Sequence, residues 1–318
     1  MDIILMGTPH HANIGDLAIA YSEEKMIKKL FPDKKLYIMP EEKLDICAKR
    51  VKNYIKNEDI ILLHGGGNIG DTYVTPEKGR REVISCFPNN KIIIFPQTAY
   101  FENEKELNIS KKIYNAHNHL IIMAREKMSY DFMSKHFYNA KVYLTPDIVM
   151  SLKEVYNNIK RSDVLLMFRR DKEKTLGDDL TSSIEKYVKE HFDPYKITDM
   201  NIGTTPVNNN SDKLRKEILE NKFKGLQGAK LVITDRLHGM IFSAITETPC
   251  VVFDSLTHKI KESYYWLKNL GYIEMCNDIN NLDKCIKKVV SYNNCMYNNE
   301  FAIKTICDIL LKEIGDEN

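Results

Sequence analysis

The chain has 318 residues, 43% hydrophobic and 28% charged, with 46 basic against 44 acidic side chains and a net charge of +2. That balance excludes a disordered or fibrous polypeptide and gives no support to a nucleic-acid partner. Seven scattered cysteines make no CxxC pair and no Cys/His cluster of zinc spacing, so a metal site and a disulfide framework are both set aside.

Thiols used this way suit a reducing cytoplasm, and no apolar run approaches the length of a membrane span. A soluble, cytoplasmic protein is expected, and at this length two domains.

Short apolar runs alternate with helical patterns along the whole chain. "DIILM" (2–6) precedes a helical pattern from Asp16 to Leu30, and "KLYIM" (35–39) precedes one around 43–56. "DIILLH" (59–64) leads into a Gly-rich turn. "KIIIF" (91–95), "HLIIMA" (119–124) and "KVYL" (141–144) follow, with helical segments near 104–116 and 126–137. Runs this short, apolar on both faces, predict parallel strands covered by helices.

The polar stretch 151–162 reads as a linker or bridging helix, after which the pattern restarts. "DVLLMF" (163–168), a helix near 178–191, "YKITDM" (195–200) and a helix near 211–226 come first. "KLVITD" (230–235), a helix after His238, "CVVFD" (250–254) and a helix near 258–269 continue the series. The tail, 279–314, is predicted helical. The expectation is α/β, with two Rossmann-like domains whose parallel sheets face a central cleft, spanning 1–155 and 163–318.

In such sheets ligands bind beyond the carboxyl ends of the strands, near helix N-termini. Four strand ends carry unusual chemistry. In "GTPHHANIGDLA" (7–18), Gly7, Pro9, Asn13 and Gly15 make a long turn, and Asp16 is read as a helix N-cap beside a loop able to hold an anion. His10 and His11 read as solvated loop residues. In "LLHGGGNIGD" (62–71), Gly66, Gly67 and Asn68 allow main-chain N–H groups to approach a phosphate or carboxylate, with Asp71 following. The glycines fit neither a dinucleotide fingerprint nor a P-loop, and a tight turn alone would also use them.

In "LLMFRRDKE" (165–173) one of Arg169 and Arg170 faces the cleft, Arg169 by continuity with the buried strand. In "TDRLHGMIF" (234–242), Arg236 and His238 stand where an apolar strand gives way to an apolar helix, with Leu237 between them. Two guanidinium groups from separate strands can clamp one anion. A histidine beside them can act as a general acid–base, although a lone histidine is more often structural.

Together these stretches resemble the polysaccharide pyruvyl transferase family. The resemblance is carried by "NIGDLA", "HGGGNIGD", "PQTAYF" (96–101), "AREKMSY" (124–130), "TPDIVMSL" (145–152), "FRRD" and, above all, "DRLHGMIFSAITETPCVVFD". It implies a two-domain, GT-B-like enzyme of exopolysaccharide or capsule synthesis. Such an enzyme transfers the enolpyruvyl unit of phosphoenolpyruvate onto two sugar hydroxyls, giving a cyclic ketal and phosphate.

Arg169, Arg236 and His238 then match positions that hold phosphoenolpyruvate, and Asp71 an acidic position near the acceptor hydroxyl. Arg125 and Asp147 match strand-end positions without an assigned role, and Arg125 is grouped with the substrate-binding residues. Phosphoenolpyruvate is a co-substrate, and no separate cofactor or metal is implied, although Asp16 and Asp71 leave room for a divalent ion. The implied acceptor is a sugar or glycan, free or lipid-linked. The lipid-linked case goes with peripheral association at the inner face of the membrane.

In that scheme His238 protonates the methylene carbon, and Asp16 or Asp71 takes the hydroxyl proton. Two rivals stand beside it. One is a GT-B glycosyltransferase with a nucleotide-sugar donor, for which Glu247 would grip the ribose. The other is a binding module without catalysis, against which the intact Arg169, Arg236 and His238 argue.

Overall fold

The computed structural model describes every residue except 10, 43, 170–173, 175, 193, 202–211, 256–257 and 316–318, together with the backbone alone of residue 212. The first half builds a sheet from β1 (Ile3–Thr8), β2 (Leu36–Pro40), β3 (Ile60–Leu63), β4 (Gly66–Gly70), β5 (Ile92–Tyr100), β6 (Leu120–Ala124) and β7 (Lys141–Leu144). Its order is β2-β1-β3-β5-β6-β7, with β4 added alongside β5, and all pairings are parallel. The second half builds one from β8 (Asp163–Met167), β9 (Tyr195–Ile197), β10 (Ala229–Thr234), β11 (Cys250–Val252) and β12 (Ile273–Met275), in the order β12-β11-β10-β8-β9, also parallel. No described helix is long and apolar enough to cross a membrane.

The two sheets share one topology. In each, the first strand sits between the second and third, so chain direction along the sheet reverses beside it. That reversal opens a crevice at the carboxyl ends of β1 and β3 in one sheet and of β8 and β10 in the other. β3 and β6 are buried throughout, as strands covered on both faces must be.

Helices α1 (Ile14–Leu30), α2 (Leu44–Val51), α3 (Val74–Cys86), α4 (Glu104–Asn115) and α5 (Lys127–His136) serve the first sheet. The second has α6 (Asp178–His191), α7 (Asp212–Gln227), α8 (Leu237–Ile245), α9 (Lys259–Tyr264) and α10 (Leu282–Val290). One apolar cluster joins the halves, taking in Leu5 and Phe95 of the first sheet, Ile241 of α8 and Ile306 of the last helix. That helix, α11 (Glu300–Ile314), returns to the first half, where Glu313 accepts from the Tyr143 hydroxyl at 2.5 Å and pairs with Lys141.

Several elements differ from the sequence reading. The stretch expected to be a Gly-rich turn forms β4, because Gly66 (φ 129°) and Gly70 (φ 150°) adopt backbone that other residues rarely do. A Cβ on Gly70 would lie 1.8 Å from the Tyr100 carbonyl oxygen. α3 and the three-residue β12 were not anticipated, and the helical tail is broken between α10 and α11. Residues 152–162 form no helix and turn at 157–158, pinned by Gln227, whose side chain accepts from the Tyr156 N–H at 2.8 Å and donates to its carbonyl at 2.9 Å.

Candidate functional site

α8 explains why charge sits between two buried elements. Every residue of this helix is buried except His238, and the helix starts at the crevice of the second sheet. Arg236 holds its N-cap position and no side chain caps the helix, so the first-turn N–H groups face the crevice. β8 and β10 are paired through Met167 and Thr234, which sets Arg169 beside Asp235 and Arg236.

The Asp235 carboxylate accepts from the Arg169 backbone N–H at 2.7 Å. Burial raises its carboxyl, against that N–H and the nearby charges of Arg169 and Arg236. Asp199, just past β9, holds the Nε and Nη2 edge of Arg236, each at 3.1 Å, and so fixes the plane of the guanidinium. Two arginines and a helix N-terminus therefore meet at one crevice, the arrangement that binds phosphate and carboxylate.

His238 reaches across to the first half. Its Nε2 is 3.7 Å from Asp147 Oδ2 and has no hydrogen-bond partner among the described residues. Asp147 accepts from Arg125 Nη1 at 2.8 Å and from the Val149 N–H at 2.9 Å, and Arg125 Nε donates to Thr98 at 2.8 Å. Burial opposes the Asp147 charge, yet His238, Arg125 and the Val149 N–H together hold its carboxyl well below the ordinary range. Trp266, following α9, donates to the Arg125 carbonyl at 3.0 Å and ties the second half to the same cluster.

The other face of the imidazole lies on Gly15, where a Cβ would stand 2.3 Å from Nδ1. Gly15→Ala should leave the protein folded but turn the His238 ring out of place. The expected result is a loss of turnover of about 10-fold or more with little change in thermal stability, read by activity and melting on one preparation.

Not every residue singled out from sequence joins this cluster. Asn13, not Asp16, caps α1, its side chain accepting from the Gly15 N–H at 3.0 Å; the capping position lies three residues earlier than the acidic side chain suggested. Asp16 lies near Gly66, and His11 Nε2 stands 3.6 Å from it and 3.4 Å from Glu41. Gly67 packs on Arg125, where a Cβ would meet Nη2 at 2.7 Å. Asn68 is held by Gln97 and Arg80.

Asp71 accepts from the backbone N–H groups of Glu102 and Asn103 at the exposed end of β4, so its carboxylate orders a loop. The Leu237 side chain is 5% exposed and belongs to the apolar core, leaving only its N–H to face a ligand. Arg170 and His10 lie outside the described residues. Glu247 accepts from the Tyr297 N–H at 2.9 Å beyond the far end of α8, remote from the helix start where a nucleotide would bind. Among the described residues, no three His, Cys, Asp or Glu side chains are grouped to hold a metal ion.

Sequence reasoning passed over Asp199 and Asp235, which orient the arginines, and over His64 and Glu23. His64 Nδ1 lies 2.7 Å from Glu23 Oε2, and the Gly65 N–H donates to Glu23 Oε1 at 2.7 Å. "HGGGN" offered the histidine, but nothing local marked its partner on α1.

General stress protein 30 of Bacillus subtilis (strain 168) is 38% identical over 295 residues, covering 91% of this chain and 85% of that protein. Pyruvyl transferase 1 of Schizosaccharomyces pombe (strain 972 / ATCC 24843) is 27% identical over 314 residues, covering 93% and 77%. Among solved structures, the OtsA apo structure superposes with a TM-score of 0.52 at 8% identity over 98% of this chain and 96% of that one, a likeness of fold alone, which is that of GT-B glycosyltransferases. The sequence model of the polysaccharide pyruvyl transferases matches residues 13–257, and the chain belongs to that family.

Proposed function

We propose that this enzyme transfers the enolpyruvyl unit of phosphoenolpyruvate onto two hydroxyls of a sugar in a polysaccharide or its precursor, forming a pyruvate ketal and releasing phosphate. The observation that carries this reading is the crevice of the second sheet. Arg169, Arg236 and the uncapped start of α8 gather there around one histidine, matching a small metabolite with a phosphate and a carboxylate.

In this reading the arginines neutralise both anionic groups of the donor and the departing phosphate. His238 delivers a proton to the methylene carbon, which leaves the adjoining carbon open to a sugar hydroxyl. Arg125 and Asp147 position His238 and do not touch substrate. Asp16, Asn13, Gly66, Gly67 and Asn68 form the acceptor side. The acceptor is a sugar or glycan, free or lipid-linked at the inner face of the membrane, and the scheme needs neither a cofactor nor a metal.

A nucleotide-sugar glycosyltransferase on the same scaffold is the rival, and the position of Glu247, braced against the tail, argues against it. Phosphoenolpyruvate at about 100 times its Kd should stabilise the protein by about 2.7 kcal/mol. Nucleoside diphosphates should leave the melting temperature unchanged. Stabilisation by the diphosphates and not by phosphoenolpyruvate would reverse the assignment.

A further inference from the structure

We infer that the crevice of the first sheet receives the sugar ring of the acceptor, and that His64, backed by Glu23, is the base that takes the proton from its hydroxyl. The inference rests on the pyruvyl transfer proposed above and adds where the acceptor sits and which group activates it.

A cavity of about 180 Å³ opens at the carboxyl ends of β1 and β3, lined by Met6, Gly7, His64, Glu41, Asn68 and Arg80 among others. It lies where chain direction reverses in the first sheet, the place where open parallel sheets bind ligands. Arg236 and His238 do not line it. Polar and charged groups around an apolar floor suit a hydroxylated ring.

His64 is 7% exposed, and its two ring nitrogens have opposite fates. Nδ1 is paired with Glu23, whose other oxygen is held by the Gly65 N–H. Nε2 is buried with no hydrogen-bond partner among the described residues. A buried nitrogen left without a partner is destabilising, which a histidine serving only the core would avoid. Glu23 is 0% exposed on α1; burial raises its carboxyl, against the His64 charge, the His64 hydrogen bond and the Gly65 N–H.

A carboxylate behind an imidazole fixes the tautomer with Nδ1 protonated and Nε2 free to accept. Burial lowers the tendency of His64 to hold a proton, but the Glu23 charge and hydrogen bond, with Asp16 and Glu41 farther off, leave it raised. Asp45 and Arg80 are the other charged groups lining the cavity.

The proton count closes with two histidines on opposite halves. The first hydroxyl oxygen bonds to the central carbon of phosphoenolpyruvate while His238 protonates the methylene, and the hydroxyl proton passes to His64 Nε2. The carbon–oxygen bond to phosphate then breaks, and the second hydroxyl closes the ring. The second hydroxyl proton goes to the departing phosphate, and His64 passes its proton to water while His238 regains from water the one it gave to the new methyl group.

The test measures phosphate release from phosphoenolpyruvate with a panel of methyl hexosides and N-acetylhexosaminides. His64→Gln should lower kcat by about 10²–10⁴-fold and remove the acidic limb of its pH profile, while stabilisation by phosphoenolpyruvate persists. Glu23→Gln should move that limb to lower pH, because the charge that raises His64 is gone. Thr75→Trp, at the exposed edge of the cavity, should raise the acceptor KM about 10-fold or more and leave the phosphoenolpyruvate KM unchanged.

Near-normal kcat with an intact acidic limb in His64→Gln, or an unchanged acceptor KM in Thr75→Trp, would overturn the assignment while wild-type turnover kept the proposed function standing. A wild-type enzyme that neither binds phosphoenolpyruvate nor releases phosphate would overturn both.

Discussion

Asp147→Asn is expected to lower the free energy of unfolding by about 3–5 kcal/mol, read as a fall in the urea midpoint with an unchanged slope. Asp147 and Arg125 are 1% and 2% exposed, so neither charge has water to fall back on. Removing the carboxylate leaves the guanidinium with Thr98 and with Glu126, 3.6 Å from its Nε. Because Glu126 remains, the loss should sit at the lower end of that range.

The same substitution carries a pH signature. Asp147 gives up its proton more readily in the folded protein than in the unfolded chain, so protonation favours unfolding. Its contribution is complete above about pH 4, where an unfolded aspartate ionises, and is lost as pH drops through the lower folded value. The difference in stability between wild type and Asp147→Asn should therefore narrow below about pH 4. A difference that stayed constant to acid pH would show that the charge is not what Asp147 contributes.

What the sequence made legible follows from how local each signal is. "IILL" of β3 and "LIIMA" of β6 are buried at every position, so apolar runs and strands coincide. Arg236 and His238 were readable because a strand end and a helix start adjoin them in the chain. Leu237 was grouped with them by adjacency, but one step along a helix turns a side chain by about 100°, here into the core.

β4 was hidden because glycine carries no strand signal; the strand exists through its pairing with β5, which only glycine permits at Gly70. Asp71 looked catalytic beside the glycines, yet its partners lie 31 and 32 residues further on. Glu23 and His64 are 41 residues apart, and a pair of that separation leaves no spacing to read. The two crevices, by contrast, depend on strand order, and strand order is set by pairing that no single stretch specifies.

His238→Gln is expected to lower kcat for phosphate release by about 10²–10⁴-fold, the usual contribution of a positioned acid–base group, with a far smaller effect on folding than Asp147→Asn. The position supports so selective a loss. His238 is the one residue of α8 that is not buried, so glutamine there disturbs little of the apolar face that holds the helix between the sheets. Its Nε2 makes no hydrogen bond that the fold depends on, and its 3.7 Å approach to Asp147 is a long one.

Phosphoenolpyruvate affinity should survive, because Arg169, Arg236 and the N-terminus of α8 remain. The kinetic pattern is then a fall in kcat with a nearly constant KM for the donor, the mark of an interaction made chiefly in the transition state. A rise in donor KM with kcat preserved would instead make His238 a binding group, and the proton for the methylene carbon would have to come from another side chain in that crevice.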